Sequence, residues 1–328
     1  MRIILTALLT LLALPVQALC DGPDIRERFS AADRAGVAAA VAQAPFAQGT
    51  QFNAEKAGSQ ITVIGTMHLY DPRLLPLANR VATRVAASDL LLVEAGPEEE
   101  AALTQAMATD PTLMFMPDGP TLPERLDEPT WQAVAQAVSD RGLPAVLASR
   151  LQPWYVSLVL AVPPCASIEL AAGRKGLDGM IISQAQTAGV PVVALEPWDT
   201  LFNLMRADPI DVQLDQLRLS LSPPELQQEM FASMLDSYFA GDIAALWEVS
   251  RVATHLIPGI DPAAADALFD ASERALLVDR NRAWLPHITK AAATHDRITV
   301  AVGAAHLQGQ DGILNLLTQA GWTVSRLD

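Results

Sequence analysis

Short apolar runs of strand length recur along this chain, separated by longer stretches with helical spacing. The runs fall at 61–64, 90–93, 145–147, 192–195, 298–302 and 322–324. Several are continuously apolar rather than alternating, as strands covered on both faces are. Between them, segments rich in Ala, Leu, Gln and Glu predict helices over 74–87, 98–108, 129–139, 179–187, 224–240, 262–287 and 312–319. Strand followed by helix, several times over, predicts an α/β fold: a mixed, largely parallel central sheet flanked by helices. The strand candidates crowd into 58–95, 144–196 and 298–328, whereas 201–290 reads as wholly helical, an insertion or cap packed on the sheet. The segment 114–128, rich in Pro and acids, reads as a loop at the edge of a lid.

Two of the apolar runs end alike. Ile61-Thr-Val-Ile-Gly65-Thr-Met-His68 and Ile298-Thr-Val-Ala-Val-Gly303-Ala-Ala-His306 both break at Gly and deliver a His three residues later, with a helical stretch beyond. This predicts a duplicated strand–GxxH–helix unit. A polar side chain just past the carboxyl end of a strand is how open α/β sheets build ligand sites. Glu94 directly follows the run 90–93, and Glu196 follows 192–195. His68, Glu94, Glu196 and His306 are therefore expected at one sheet edge, and imidazole with carboxylate suits Zn, Mn, Co or Fe. Each of the four also has a plain structural reading, as a satisfied His or half of a salt bridge; the repeated GxxH is what favours a site.

Arg280-Asn281 adds a cation and an amide in the late helical stretch, and Arg280 shares a helix face with Trp284. Such a cation binds a carboxylate, stabilises an oxyanion or simply covers Trp284. Asp178, ahead of an apolar helical stretch, reads as an N-cap, and His255, His287 and His295 lack any strand-end context. No HExxH helix, GxSxG elbow, Gly-rich phosphate loop or CxxC pair occurs. Serine and cysteine hydrolase chemistry and a P-loop or Rossmann nucleotide site thus have no sequence support.

Composition sets the compartment and the partners. Residues 1–18 read as a signal peptide, with Arg2 as the n-region and an apolar stretch ending at Val16-Gln17-Ala18. A periplasmic or secreted protein follows, with 19–328 as one domain. No later apolar run is long enough for a permanent membrane span. A net charge of −15 disfavours nucleic acid and anionic membrane surfaces. In an oxidising compartment Cys20 and Cys165 read as a disulfide; the alternative is one buried thiol and one free thiol in the tail.

GTMHLYD at 65–71, LLVEAGPE at 91–98, ALEPWDT at 194–200, LLVDRNRAW at 276–284 and VGAAHLQGQDGILNLLTQAGWTV at 302–324 together resemble the TraB/GumN family. That family includes the animal Tiki proteins, metal-dependent proteases acting on secreted signalling proteins. Its core is similar to the erythromycin-esterase and haem-uptake ChaN-like fold, where His and Glu residues cluster above a sheet. The resemblance implies that His68, His306 and Glu94 belong to an active site. Arg280 and Asn281 match the family's polar pair, and Glu196 matches a recurrent Leu-Glu at a strand end. The expectation is a secreted metal-dependent hydrolase, a peptidase acting on a peptide or protein substrate. In it Mn, Co or Zn is held by His68, His306, Glu94 and Glu196, and Glu94, Arg280 and Asn281 serve the chemistry. The rival expectations are a haem- or metal-binding protein without turnover and a regulator of envelope or exopolysaccharide assembly.

Overall fold

The computed structural model describes residues 20–328; the expected signal peptide lies outside them. Six strands form one sheet: β1 Gln51–Lys56, β2 Ser59–Thr66, β3 Leu90–Val93, β4 Val192–Ala194, β5 Arg297–Gly303 and β6 Thr323–Arg326. Their order across the sheet is β4-β3-β5-β2-β1-β6. The β4–β3, β3–β5 and β5–β2 pairs are parallel, and β1 is antiparallel to both β2 and β6. The carboxyl ends of β2, β3, β4 and β5 therefore share one edge, as the sequence predicts.

The pleat explains the continuous apolar runs. Ile64, Leu91, Val93 and Ala301 face one core, where they meet Leu74 and Val81 of the helix Leu74–Ala86 and Leu177 and Ile181 of the helix Leu177–Ala188. Ile61, Val63, Leu90, Leu92, Val300 and Val302 face the other, against Trp284, Ile288, Leu314 and Leu317. Successive residues of β2, β3 and β5 thus bury on opposite faces, which keeps the runs mostly apolar; the buried Thr299 meets Ser88 Oγ at 2.6 Å. The β1–β2 hairpin closes at Ala57 and Gly58, both with positive φ (50° and 93°). Two such residues make the tight turn whose twist matches the flanking strands.

Two sequence expectations are corrected. The run 145–147 is not a strand but part of the short helix Ala145–Ala148, entered from Pro144. Val146 is 80% exposed, so this apolar stretch faces out rather than into a sheet. The chain from Pro97 to Ala171 is then helical between loops and forms the cap together with helices of 200–278, whereas Leu177–Ala188 and Asp279–Ala292 pack on the two faces of the sheet. The cap's own core, including Leu122, Val134, Val138, Leu160, Leu214 and Leu217, is separate from those flanking the sheet. Secondly, 262–287 is not one regular helix. Pro262–Glu273 and Asp279–Ala292 are joined by a π-helical turn, Arg274–Val278, one turn ahead of Arg280. Within 114–128, Leu122–Arg125 forms a helical turn and Phe115 bridges to Leu151.

Cap and sheet are tied at the site edge. The Tyr238 hydroxyl, on the helix Pro224–Ala240, donates to the Gly65 carbonyl at 2.9 Å. Cys20 and Cys165 are disulfide-bonded, with 5.5 Å between their Cα atoms. This anchors the first described residue to the helix Pro164–Ala171. Among the described residues no single helix is long and apolar enough to cross a membrane.

Candidate functional site

The two GxxH segments lie side by side. In the parallel β2–β5 ladder Ile61 pairs with Ile298 and Thr66 with Gly303. The similar strands are thus aligned from their first residues, and the second reaches its Gly one residue later. Gly65 lets the segment after β5 pack close: a Cβ there would lie 2.7 Å from Leu307 Cδ1 and 3.1 Å from Ala304 Cα. Gly303 faces the site itself, where a Cβ would lie 3.0 Å from His68 Nε2 and 3.2 Å from Glu94 Oε1. The two glycines therefore have different roles despite the shared motif.

His306 sits in the short 3₁₀ turn Ala304–His306 and is buried, its ring 4.5 Å from that of Trp284. Its Nδ1 is 2.7 Å from Asn281 Oδ1. The Asn281 amide nitrogen donates to the carbonyls of His306 (3.3 Å) and Asp311 (2.9 Å), so its oxygen can only accept. The proton therefore resides on Nδ1, and Nε2 keeps a lone pair. That lone pair faces Arg280 Nη1 at 3.3 Å and Glu94 Oε1 at 3.8 Å.

Glu94 follows β3 and is held at both oxygens. Oε1 accepts the Gly303 N–H at 2.6 Å, and Oε2 accepts Arg280 Nη2 at 2.7 Å. Glu196, beyond β4, accepts from Arg280 Nε (3.0 Å) and Nη2 (2.8 Å) and from Trp284 Nε1 (3.0 Å). Arg280 Nη1 also donates to the Leu276 carbonyl at 3.0 Å. Its guanidinium lies 4.6 Å from the Trp284 ring centroid, so the cation-over-indole and site readings hold together.

His68 is more open, with 59% of its side chain exposed. Its Nε2 is 3.8 Å from Glu94 Oε1, and its Nδ1 is 3.6 Å from Asp178 Oδ2. Asp178 is not an N-cap: the cap of Leu177–Ala188 is Gly176, and Asp178 lies in the first turn. Leu177 N–H donates to the Met67 carbonyl at 2.8 Å, which pins this helix start to the His68 segment. A Cβ at Gly176 would fall 2.2 Å from that carbonyl oxygen. Sequence reasoning named Gly303 only as the break in its motif and Asp178 only as a cap; Asp178 looked like a cap because capping and orienting use the same residue type at the same place. His255 pairs instead with Asp266 at 2.9 Å, and His295 bonds to Thr294 and the Ala291 carbonyl.

Residues 51–326 match the model of the TraB/PrgY/gumN family. The chain belongs to that family. It is 23% identical over 255 residues to the uncharacterized protein YbaP of Escherichia coli (strain K12), covering 78% of this chain and 86% of the relative. The protein of the same name from Shigella flexneri matches to the same extent. All the polar residues described above fall inside the TraB/PrgY/gumN span.

The electrostatics of this TraB/PrgY/gumN site separate its two imidazoles. Burial pushes the His306 pKa down, to about 4, and the nearby Arg280 and His68 charges add to this against the pull of Glu94. It is neutral at pH 7, in agreement with its hydrogen bonds. Desolvation also disfavours a charged His68, but the nearby Asp178 and Glu94 carboxylates outweigh it and raise its pKa to about 9; solvent on the exposed ring face screens part of that pull. Burial favours a neutral Glu94, yet the His306, His68 and Arg280 charges and the Gly303 N–H bring its pKa down to about 2. Because His306 is uncharged at neutral pH, His68, Arg280 and Gly303 hold the Glu94 carboxylate there.

The donor set suits a borderline divalent cation: two imidazole Nε2 atoms, each with Nδ1 turned to an acceptor, face one ionised carboxylate oxygen. Their 3.8 Å separations from Glu94 Oε1 are wider than the roughly 3.4 Å ligand spacing implied by tetrahedral bonds of ~2.1 Å. Among the described residues no group of three or more His, Cys, Asp or Glu already closes on one point. The fit is one of chemistry and orientation. Glu196 has both oxygens committed to Arg280 and Trp284.

Proposed function

We propose that this protein is a metal-dependent hydrolase of peptide bonds, acting in the periplasm or outside the cell, with its reaction centre among His68, Glu94 and His306. What carries the reading is the pair of Nε2 atoms at 3.8 Å from one Glu94 oxygen, each on a ring oriented from its far side by Asp178 or Asn281. His68, His306 and Glu94 would hold a Mn, Co or Zn ion, which when bound supplies a water of lowered pKa and polarises the scissile carbonyl.

The residues' roles follow from their surroundings. Glu94, with a pKa of about 2, is a weak base and is suited to carry fixed negative charge rather than to take up a proton. Asn281 fixes the His306 tautomer. Arg280 has all of its N–H donors engaged, by Glu94, Glu196, His306 and Leu276. It is therefore a positioning residue that neutralises two carboxylates, and it is not free to bind an oxyanion. Its 3.3 Å contact to His306 Nε2 is the weakest of these and the one that yields when that lone pair takes a ligand.

The test is metal content. The purified protein, saturated with Mn, Co or Zn and desalted, should retain about one ion per chain by elemental analysis, and His68→Ala and His306→Ala should each lose it. Unchanged metal content in both variants, or none in the parent, would remove the metal from the reading.

A further inference from the structure

Next to the polar cluster lies a cavity of about 440 Å³ that has His68 on its wall. Met67, Leu69, Leu160, Met230, Phe231 and Met234 provide its apolar lining. They come from the segment after β2 and from two parts of the cap, so the cavity exists only because cap and sheet edge meet. Among the described residues no Asp, Glu, Lys or Arg lines it. Its polar lining is largely occupied: Gln227 Oε1 accepts from Arg141 at 2.6 Å, Ser220 Oγ donates to the Gln216 carbonyl, and Ser250 Oγ donates to the Leu246 carbonyl. What remains for a guest is apolar surface, much of it thioether, which adapts its shape at little cost. The volume falls in the range of small ligand pockets, and one wall of the cavity is the His68 ring of the proposed reaction centre.

We propose that this cavity receives a large apolar side chain (Leu, Met or Phe) of a peptide whose scissile bond lies at His68. The substrate class is then peptides with such a residue beside the cleaved bond. The proposal rests on the peptidase reading and adds its specificity. An acidic side chain is disfavoured by the charge of the chain as a whole, −15, and by the lack of Lys or Arg in the lining; the His68 imidazole at the cavity wall already faces Glu94 and Asp178. Burying even a Leu in place of an Ala removes enough apolar surface from water to give a clear preference.

The experiment uses N-acetylated, C-amidated pentapeptides of Ala with Phe, Leu, Ala or Glu at the centre. Affinity is read by titration calorimetry and cleavage by mass spectrometry, on the metal-loaded full chain. The Phe and Leu peptides should bind about tenfold or more tighter than the Ala peptide, with the Glu peptide weakest. Met234→Trp and Met230→Trp, which fill the cavity from two positions, should each remove the difference while leaving the Ala peptide as it was; thermal melts identify any variant that fails to fold, and either variant suffices. Equal or absent binding of all four peptides, or a preference untouched by both fillings, overturns the cavity's role. A preference that is lost on filling but accompanied by no cleavage supports the cavity and sinks the hydrolase reading instead, so the two failures are distinguishable.

Discussion

Arg280 lies at the centre of the polar cluster with no N–H left over for a further partner. Each of its N–H groups already has a protein acceptor, and two carboxylates and an indole surround it. The sequence made it visible through its spacing to Trp284, but spacing cannot report that its donors are saturated. Asn281 is the subtler neighbour. Replacing it by Ala leaves His306 Nδ1 without its acceptor and frees the ring to change tautomer. Hydrolysis should fall about 10–100-fold, and the Nδ1–H signal of His306 in a nitrogen-15 NMR spectrum should broaden or disappear. An unchanged signal and rate would show that Asn281 does not set the tautomer. The titrating groups make a second prediction, for the metal-free protein. His68, with a pKa raised from 6.5 to about 9, contributes stability that is fully present below 6.5 and lost as pH rises through 9. His306, lowered from 6.5 to about 4, is easier to protonate unfolded, so stability falls as pH drops from 6.5 towards 4. Glu94, lowered from 4.5 to about 2, adds a further loss from 4.5 downwards. Melting temperature should peak close to pH 6.5, and His306→Gln should flatten the limb between 6.5 and 4. A peak displaced to strongly acidic or alkaline pH would contradict these assignments.

The two motif glycines belong to the scale of the element, because each one governs how a strand end meets the next segment. Gly303→Ala would put a methyl against His68 Nε2 and Glu94 Oε1, in the polar cluster, with little backbone strain. It should abolish metal retention or lower hydrolysis by about tenfold or more while the melt barely moves. Gly65→Ala would press on Leu307 and the Ala304 backbone and should instead destabilise the fold by about 1–3 kcal/mol, read from denaturant midpoints. Reversed outcomes would mean that the roles are exchanged. Strands β2, β3 and β5 were legible because burial on both faces favours apolar runs, and in β2 and β5 the Gly-then-His ending marks where the strand stops. β1 was not legible: Gln51-Phe-Asn-Ala-Glu-Lys56 lacks β-branched residues and is held by pairing with β2 and β6. The run 145–147 misled because three apolar residues after a Pro satisfy a strand pattern and a helix start equally. The π turn at Arg274–Val278 has no hydrophobic signature, since it shifts the helix phase by a fraction of a turn.

At the scale of the whole molecule, the parallel sheet edge gathers residues from distant parts of the chain, and the cap covers that edge. Cys20 and Cys165, 145 residues apart, close one long loop that ties the N-terminal segment to the cap. Restricting so long a loop in the unfolded chain is expected to contribute about 2–4 kcal/mol. Reductant, or Cys165→Ser, should lower the denaturant midpoint accordingly; an unmoved midpoint would show that the segment is held by packing alone. The pairing of the cysteines was readable from their even number, whereas the split of the cap into two sequence stretches was not, since it depends on one misread strand. Glu94, at the carboxyl end of β3, is proposed to work with His68 and His306 on a peptide bond. The decisive experiment is the initial rate of peptide hydrolysis at pH 7 in metal-loaded parent protein and in Glu94→Gln of equal thermal stability. Measurable cleavage in the parent and a loss of about 100-fold or more in the variant are expected; equal rates in the two, or no cleavage of any peptide by the parent, would refute the proposed role.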